Sequence, residues 1–172
     1  KIKEDSALNY AKLSYEEGNP FKNVAVVLQE YLKAYPKSKA YNEINNLIVS
    51  SFLHQQDYLG ALEYLVKNKS KNNNILHLEV SLYRGIQLYQ SKKIKEALPF
   101  FTNAKKTSNF NISLRARYWE AEAQYQLENH QESLANFIRL KTILKKNKNP
   151  EFSALNYIIG YNYFKLKKYA KA

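Results

Sequence analysis

The chain contains three histidines, a residue type that can bind a metal ion or act as an acid–base group. They are His54, His77 and His130, and no two of them are three or four residues apart. A helical metal site needs that interval, because residues one turn apart share a helix face. Each histidine also falls near a predicted turn or helix end. We therefore expect solvated or helix-capping histidines and no metal site.

Acidic pairs and glycine-rich loops offer equally little for catalysis. Glu120 and Glu122 are two residues apart, so on a helix they point to different faces. Glu128 and Glu132 are four apart, but beside a predicted turn they are typical of solvated charge. The absence of Cys excludes thiolate nucleophiles and Cys-ligated zinc. Because no GxxxxGK[ST], GxGxxG or GxSxG motif occurs either, we expect no enzyme activity, no cofactor and no small-molecule substrate.

Tyrosine is the residue whose spacing does suggest a function. The 172 residues include 15 tyrosines. Tyr118 and Tyr125 are seven residues apart, and Tyr157, Tyr161 and Phe164 follow at intervals of four and three, which keeps each set on one helix face. Tyrosine combines apolar area with a hydroxyl group at low entropic cost, and this suits protein interfaces. The alternative is that these rings pack between helices.

The composition favours an all-α globular protein. Apolar residues make up 45% of the chain and charged residues 24%, whereas Gly and Pro number only four each. An all-β protein needs more turn formers. No apolar run approaches the roughly 20 residues that span a bilayer, and KIKEDSALNY has no apolar signal-peptide region. Because the first residue is Lys rather than Met, we expect a fragment of a longer chain.

A two-helix unit recurs about every 36 residues. Small residues recur at intervals of 36, 36 and 39, at Ala61, Ala97, Ser133 and Ala172. Where the chain continues, a large apolar residue follows four positions later, at Leu65, Phe101 and Phe137. An amphipathic run of helical length precedes each of these stretches. The unit is therefore helix A, a short turn and helix B, and the motif SALNY, at 6–10 and 153–157, begins helix A of the first and last units.

The amphipathic runs predict nine helices. Their approximate ranges are 6–17, 20–34, 39–54, 58–68, 74–90, 94–106, 111–127, 131–146 and 150–166. Where A and B cross, a small residue such as Ala97 lets the backbones approach, and Phe101 fills the space beside it. Trp119, the one tryptophan, is expected in the core.

These units resemble the tetratricopeptide repeat, whose pattern is W-x2-L-G-x2-Y, then A-x3-F, then P. The first block is matched, apart from its Trp, by Asn156, Ile159, Gly160 and Tyr163. The second is matched by Ala97 with Phe101 and by Ser133 with Phe137, while Pro36 closes the first unit and Pro150 begins the last. The YPKS ending followed by a DY-x-x-A unit is similar to the subclass found in bacterial envelope scaffold proteins. Arg84 and Glu120 depart from the pattern, since they stand where Leu is usual.

The resemblance implies an all-α, right-handed superhelical solenoid of antiparallel helix pairs. About four and a half repeats would form one array over residues 1–172. The array breaks off as the fifth helix B begins, so we expect either a longer parent chain or an interface over the open end, including self-association. The resemblance is compatible with a cytoplasmic or a bacterial periplasmic or envelope-associated parent protein.

The resemblance also implies a protein-interaction scaffold that binds a partner segment in a concave groove lined by helix A. The implied groove residues are Tyr10, Ser14, Asn46, Ser50, Leu82, Ile86, Tyr89, Tyr118, Glu122, Tyr125, Tyr157, Tyr161 and Phe164. Tetratricopeptide proteins that clamp a peptide carboxylate use Lys, Asn and Arg in the groove. The matching positions here are largely Tyr, Leu and Ile, which argues against that mode.

Net charge leaves a second hypothesis open. The chain carries +12, and about ten of these charges lie from Gln87 onward. The lysines cluster in KNKSKNNN, QSKKIK, NAKKT, LKKNKNP and KLKKY. These stretches lie at turns or in helix B, whereas RNA-reading repeats place such residues on one helix of every unit. This favours a solvated rim, with nucleic acid or an acidic partner on the basic half as the alternative.

Overall fold

The computed structural model describes residues 2–145 and 150–172, which fold into α-helices without a β-strand. The helices are α1 Ile2–Glu17, α2 Val24–Ala34, α3 Tyr41–His54, α4 Tyr58–Lys67, α5 Lys71–Gln90, α6 Ile94–Ala104, α7 Phe110–Gln126, α8 His130–Leu144 and α9 Leu155–Lys165. Short 3-10 turns occupy Pro150–Phe152 and Tyr169–Lys171. The predicted all-α class is confirmed.

The chain divides into two compact units, Lys1–Glu63 and Tyr64–Ala172. In the first unit α1 packs on α2 and α2 on α3. In the second unit α5, α6, α7, α8 and α9 pack one on the next in chain order. Within each unit, helices that follow one another in sequence are therefore neighbours in space, as in proteins built from stacked helix pairs. None of the helices in the described ranges is long and apolar enough to cross a membrane.

Asparagine side chains decide where α2 begins. The Asn19 amide oxygen accepts hydrogen bonds from the backbone N–H groups of Phe21 and Lys22, at 2.9 and 3.0 Å. Asn23 then caps the helix by accepting from the N–H of Ala25 at 2.9 Å. These local bonds compete with helix formation. The predicted start at residue 20 is therefore wrong, and α2 begins at Val24.

The predicted helix 150–166 is also wrong at its beginning. Pro150–Phe152 form a 3-10 turn, and α9 begins only at Leu155. Phe152 turns its ring into the core, where it lies 5.7 Å from the ring of Tyr118. The second SALNY copy thus straddles the start of α9, and the first lies inside α1. Residue 146, the predicted end of α8, lies outside the described residues.

The centre of the second unit is the crossing of α5 and α6. Ala97 and Phe101 are both fully buried, as the spacing predicted. Gly85 on α5 faces the ring so closely that an added Cβ would lie 2.6 Å from Phe101 Cε1. Trp119 of α7 stacks on Phe101 with centroids 6.4 Å apart, so it packs at the edge of the same cluster.

One turn conformation recurs along the chain at the same intervals as the small residues that define the two-helix unit. Gln56, Lys92, Glu128 and Lys167 all have positive φ, between 55° and 64°, and they are 36, 36 and 39 residues apart. In each turn the next N–H donates to the carbonyl five residues back, at 2.9–3.0 Å, which is the Schellman helix ending. The chain therefore ends α3, α5, α7 and α9 in the same way, and this supports the two-helix unit.

Replacing two helical glycines by alanine distinguishes the effect of close packing on stability from the effect of helix propensity. Gly85→Ala should lower the free energy of unfolding by about 1–2 kcal/mol, because the new methyl group overlaps the enclosed Phe101 ring. Gly160→Ala is the matched control, since its Cβ would have no neighbour nearer than 3.4 Å. This variant should gain up to about 1 kcal/mol. Urea unfolding of the two variants tests the crossing, and equal effects would contradict it.

The left-handed turn residues provide a second test. Lys92→Gly should stabilise the protein by about 0.5–1 kcal/mol, because glycine adopts positive φ without strain. Glycine already occupies the positive-φ position after α1, at Gly18. Arg139→Gly, which removes the same charge inside α8, should cost about 1 kcal/mol. Thermal unfolding measures both, and a destabilised Lys92→Gly would refute the role of this turn.

Candidate functional site

The candidate site is a set of aromatic side chains on α7 and α9 in the second unit. α7 carries Tyr125 and α9 carries Tyr157, Tyr161 and Phe164. Tyr125 and Tyr161 join the two helices, with their ring centroids 5.9 Å apart. We call these four residues the aromatic surface. The two sets that spacing placed on separate helix faces therefore meet in space.

Three rings of the aromatic surface lie side by side in solvent. Tyr157 and Tyr161 have centroids 6.4 Å apart and planes within 10°, and Tyr161 and Phe164 are 6.2 Å apart with planes within 15°. Their exposed fractions are 76% for Tyr157, 43% for Tyr161 and 53% for Phe164. Together with Asn156, Gly160 and Ala172 they line a depression of about 400 Å³. Packing between the described helices leaves these three rings exposed.

Tyr125 is the most perturbed group of the surface. Partial burial, a hydrogen bond with Tyr161 and the nearby Glu122 raise the pKa of Tyr125 to about 12. Its ring also lies 4.9 Å from the His130 ring. Because the phenol stays protonated at neutral pH, it can donate a hydrogen bond but cannot serve as a base.

Tyr118 and Tyr89 are half-buried, and their rings contact rings of the core. The Tyr118 ring packs 5.6 Å from Phe137 and 5.7 Å from Phe152. Tyr89 lies 5.1 Å from Trp119. For these two tyrosines, the alternative of packing between helices holds in part. Their rings therefore have less accessible area than the sequence implied.

Glu122 lies on α7 between Tyr118 and Tyr125. Burial raises the pKa of its carboxyl group above the ordinary value of 4.5. The pKa values of Tyr89 and Tyr118 are raised too, first by burial and then by the Glu122 charge. Within the described part of the chain, no Lys, Arg or His nitrogen lies within 4.0 Å of its carboxylate. Glu122 is thus a half-buried carboxylate without a cation.

Three residues of this region were not among the predicted groove residues. Tyr169 extends the surface, with its ring 5.6 Å from Phe164. The Lys165 ammonium group lies 5.4 Å from the Tyr161 ring centroid, as in a cation–π contact. His130 contacts Tyr125 from α8. The contacts of Tyr169 and His130 join separate elements, so spacing along one helix gave no sign of them. Lys165 follows Tyr161 by four residues on α9, so helical spacing could have indicated that contact.

Other predicted groove residues lie elsewhere. Leu82 was wrongly placed in the groove: it is fully buried in the cluster around Phe101. Ser14 is buried as well, where its hydroxyl accepts a hydrogen bond from Asn19 at 3.1 Å. Tyr10, in the first unit, is 54% exposed and accepts from Asn19 at 2.8 Å. The remaining three are Asn46, which is exposed, and Ser50 and Ile86, which are half-buried.

The described lysines of the basic stretches lie mainly in turns and at helix ends, and most are exposed. Lys105 is the exception, because it is half-buried and paired with Glu120. Most of LKKNKNP falls outside the described residues. Among the described residues no group of three His, Cys, Asp or Glu side chains could hold a metal ion.

Comparison with protein-family models, with curated proteins and with solved structures finds no match for this chain. The geometry of the site therefore carries the functional argument.

Glu122→Gln should stabilise the free protein at pH 7. The folded chain holds the Glu122 proton more tightly than the unfolded chain, so Glu122 lowers stability as pH rises above 4.5 through the raised pKa. Gln removes this cost, and the gain should shrink towards about pH 4, as the carboxyl group becomes mostly protonated in both states. Urea unfolding followed by Trp119 fluorescence at both pH values measures the difference.

Glu132→Gln is the control, because Glu132 is an exposed acidic residue in the first turn of α8. Its removal should lower stability at pH 7 by roughly 0.3 kcal/mol, because the carboxylate no longer interacts with the helix dipole. A Glu122→Gln variant that is less stable than the wild type at pH 7 would mean that Glu122 has a compensating partner.

Proposed function

We propose that this chain is a tetratricopeptide-like solenoid that acts as a protein-interaction scaffold. The aromatic surface would bind a segment of a partner protein. The observation that carries the proposal is the contact between three exposed rings, those of Tyr157, Tyr161 and Phe164. Contiguous exposed apolar groups commonly mark interaction sites, whereas scattered single residues do not.

The geometry of the rings suits a peptide segment. Nearly parallel planes give a flat apolar area, and the depression beside them accommodates an inserted aliphatic or aromatic side chain. Tyrosine loses little conformational entropy on binding, and a few such rings commonly dominate an interface. The hydroxyls of Tyr157 and Tyr161 can also bond to peptide carbonyls.

The titratable groups of the site favour binding over catalysis. The Tyr125 phenol is protonated at neutral pH, as a tyrosine ordinarily is, and it can donate a hydrogen bond. Glu122 is the one carboxylate among the tyrosines, and the described residues around it include no Ser or Cys nucleophile in hydrogen-bond contact with it. This group of residues can orient a ligand through apolar contact and hydrogen bonds.

Peptide selection followed by substitution tests the proposal. Random short peptides displayed on phage would be selected on the wild-type chain and their affinities measured at physiological salt. Tyr161→Ala should weaken binding about tenfold or more, since a hot-spot ring contributes roughly 1–2 kcal/mol. Stability should fall by about 1 kcal/mol or less, because the ring is largely outside the core.

Phe110→Ala is the matched control, because Phe110 is an exposed ring of the same unit that lies outside the aromatic surface. It should leave affinity unchanged, and Tyr161→Phe should retain most of it. Peptides that bind Tyr161→Ala and wild type equally would contradict the proposal. So would tight, sequence-dependent RNA binding at physiological salt, which would favour the basic half instead.

A further inference from the structure

Glu122 stands out because its carboxylate is partly withdrawn from water without compensation. It lies on α7 between Tyr118 and Tyr125, and these positions share one helix face. Tyr89 of α5 reaches the same region, since Tyr89 and Tyr118 both contact the Trp119 ring, at 5.1 and 5.8 Å. Removing a carboxylate from water is costly unless a cation or hydrogen-bond donors replace the lost hydration.

The neighbouring Glu120 shows how this chain compensates a buried carboxylate. Lys105 donates to both Glu120 oxygens, at 2.7 and 2.6 Å, and the Thr102 hydroxyl donates at 2.7 Å. Glu120 is only 8% exposed, yet its charge is paired within the fold. Glu122, two residues on, faces the other side of α7. In the described structure it has no such cation, although the chain carries 27 lysines and arginines.

The surroundings of Glu122 fit a positively charged ligand group. An anion would be repelled by the carboxylate, and an uncharged group would complete its burial without pairing it. A cation gains both from the carboxylate and from the electron-rich rings of the three tyrosines. Aromatic groups that include an acidic residue thus combine the two interactions that recognise ammonium and guanidinium groups.

We infer that Glu122, with Tyr89, Tyr118 and Tyr125, receives a Lys or Arg side chain of the partner segment. This inference rests on the proposed function, because the segment is the one that binds the aromatic surface. Tyr125 belongs to both groups and contacts Tyr161 at 5.9 Å. The partner segment therefore carries a basic residue close in sequence to a large apolar residue. The basic side chain pairs with Glu122 and the apolar one lies against Tyr161.

The net charge of +12 makes this pairing selective. The many lysines oppose a generally basic partner at long range, but at physiological salt charges beyond roughly 8 Å are largely screened. A single cation seated at a half-buried carboxylate is screened far less. The recognised segment should therefore carry one or two basic residues rather than a basic run, and its binding should survive at physiological salt.

The experiment is a charge-swap cycle on selected peptides. Random short peptides would be selected in parallel on wild type and on Glu122→Gln. Wild type should enrich Lys or Arg next to a large apolar residue, and the variant should lose that basic preference. Replacing the enriched Arg by citrulline, its neutral isostere, should weaken binding to wild type about tenfold or more. The same replacement should make little difference with Glu122→Gln.

Glu132→Gln is the control for the loss of one negative charge elsewhere on the chain. With this variant, replacing the peptide Arg by citrulline should weaken binding as much as it does with wild type. Peptides that depend on Tyr161 but bind equally well with Arg and citrulline would overturn the inference and leave the proposed function intact. Peptides that ignore Tyr161 altogether would overturn both. An Arg dependence that persists unchanged in Glu122→Gln would place the cation elsewhere and would also refute the inference.

Discussion

The close crossing of α5 and α6 is the constraint on which the second unit depends. Gly85 and Ala97 leave room for one ring, and Phe101 fills it completely. Trp119 stacks on that ring from α7, and both Tyr89 and Tyr118 contact Trp119, at 5.1 and 5.8 Å. The core thereby fixes two tyrosines beside Glu122. A chain of packed rings therefore runs from the buried crossing to Tyr89 and Tyr118.

Glu120 and Glu122 lie on the same helix, but within the described structure only Glu120 is paired with a cation of the chain. Both are partly or largely removed from water, but Lys105 compensates only Glu120. The folded chain bears the cost of burying Glu122, which raises the pKa of that carboxyl group. Such a cost is typical of sites kept for a ligand, where stability is reduced in favour of function. The cation that balances Glu122 is, in our account, supplied by the partner.

Helical spacing predicted much of this arrangement, because helix formation and one-sided burial are local properties. Ala97 and Phe101 are buried at the helix crossing, as their spacing predicted. Tyr157, Tyr161 and Phe164 lie on one face of α9, which their spacing also predicted. Helix ends were less predictable, since the side-chain bonds of Asn19 and Asn23 determined where α2 begins. Leu82 and Glu120 depend on neighbours from other helices, so spacing along one helix could not reveal their burial or pairing. The same holds for His130 against Tyr125.

The central claim is that partner recognition occurs at the aromatic surface, and nuclear magnetic resonance of the ring ¹³C–¹H groups tests it most directly. A selected peptide would be titrated into the chain while the assigned tyrosine and phenylalanine signals are followed. The account predicts that Tyr125, Tyr157, Tyr161 and Phe164 shift together and saturate with one affinity, while Phe110 and Phe21 stay unchanged. If the four rings stay unmoved while the peptide saturates the chain, the result would contradict the account.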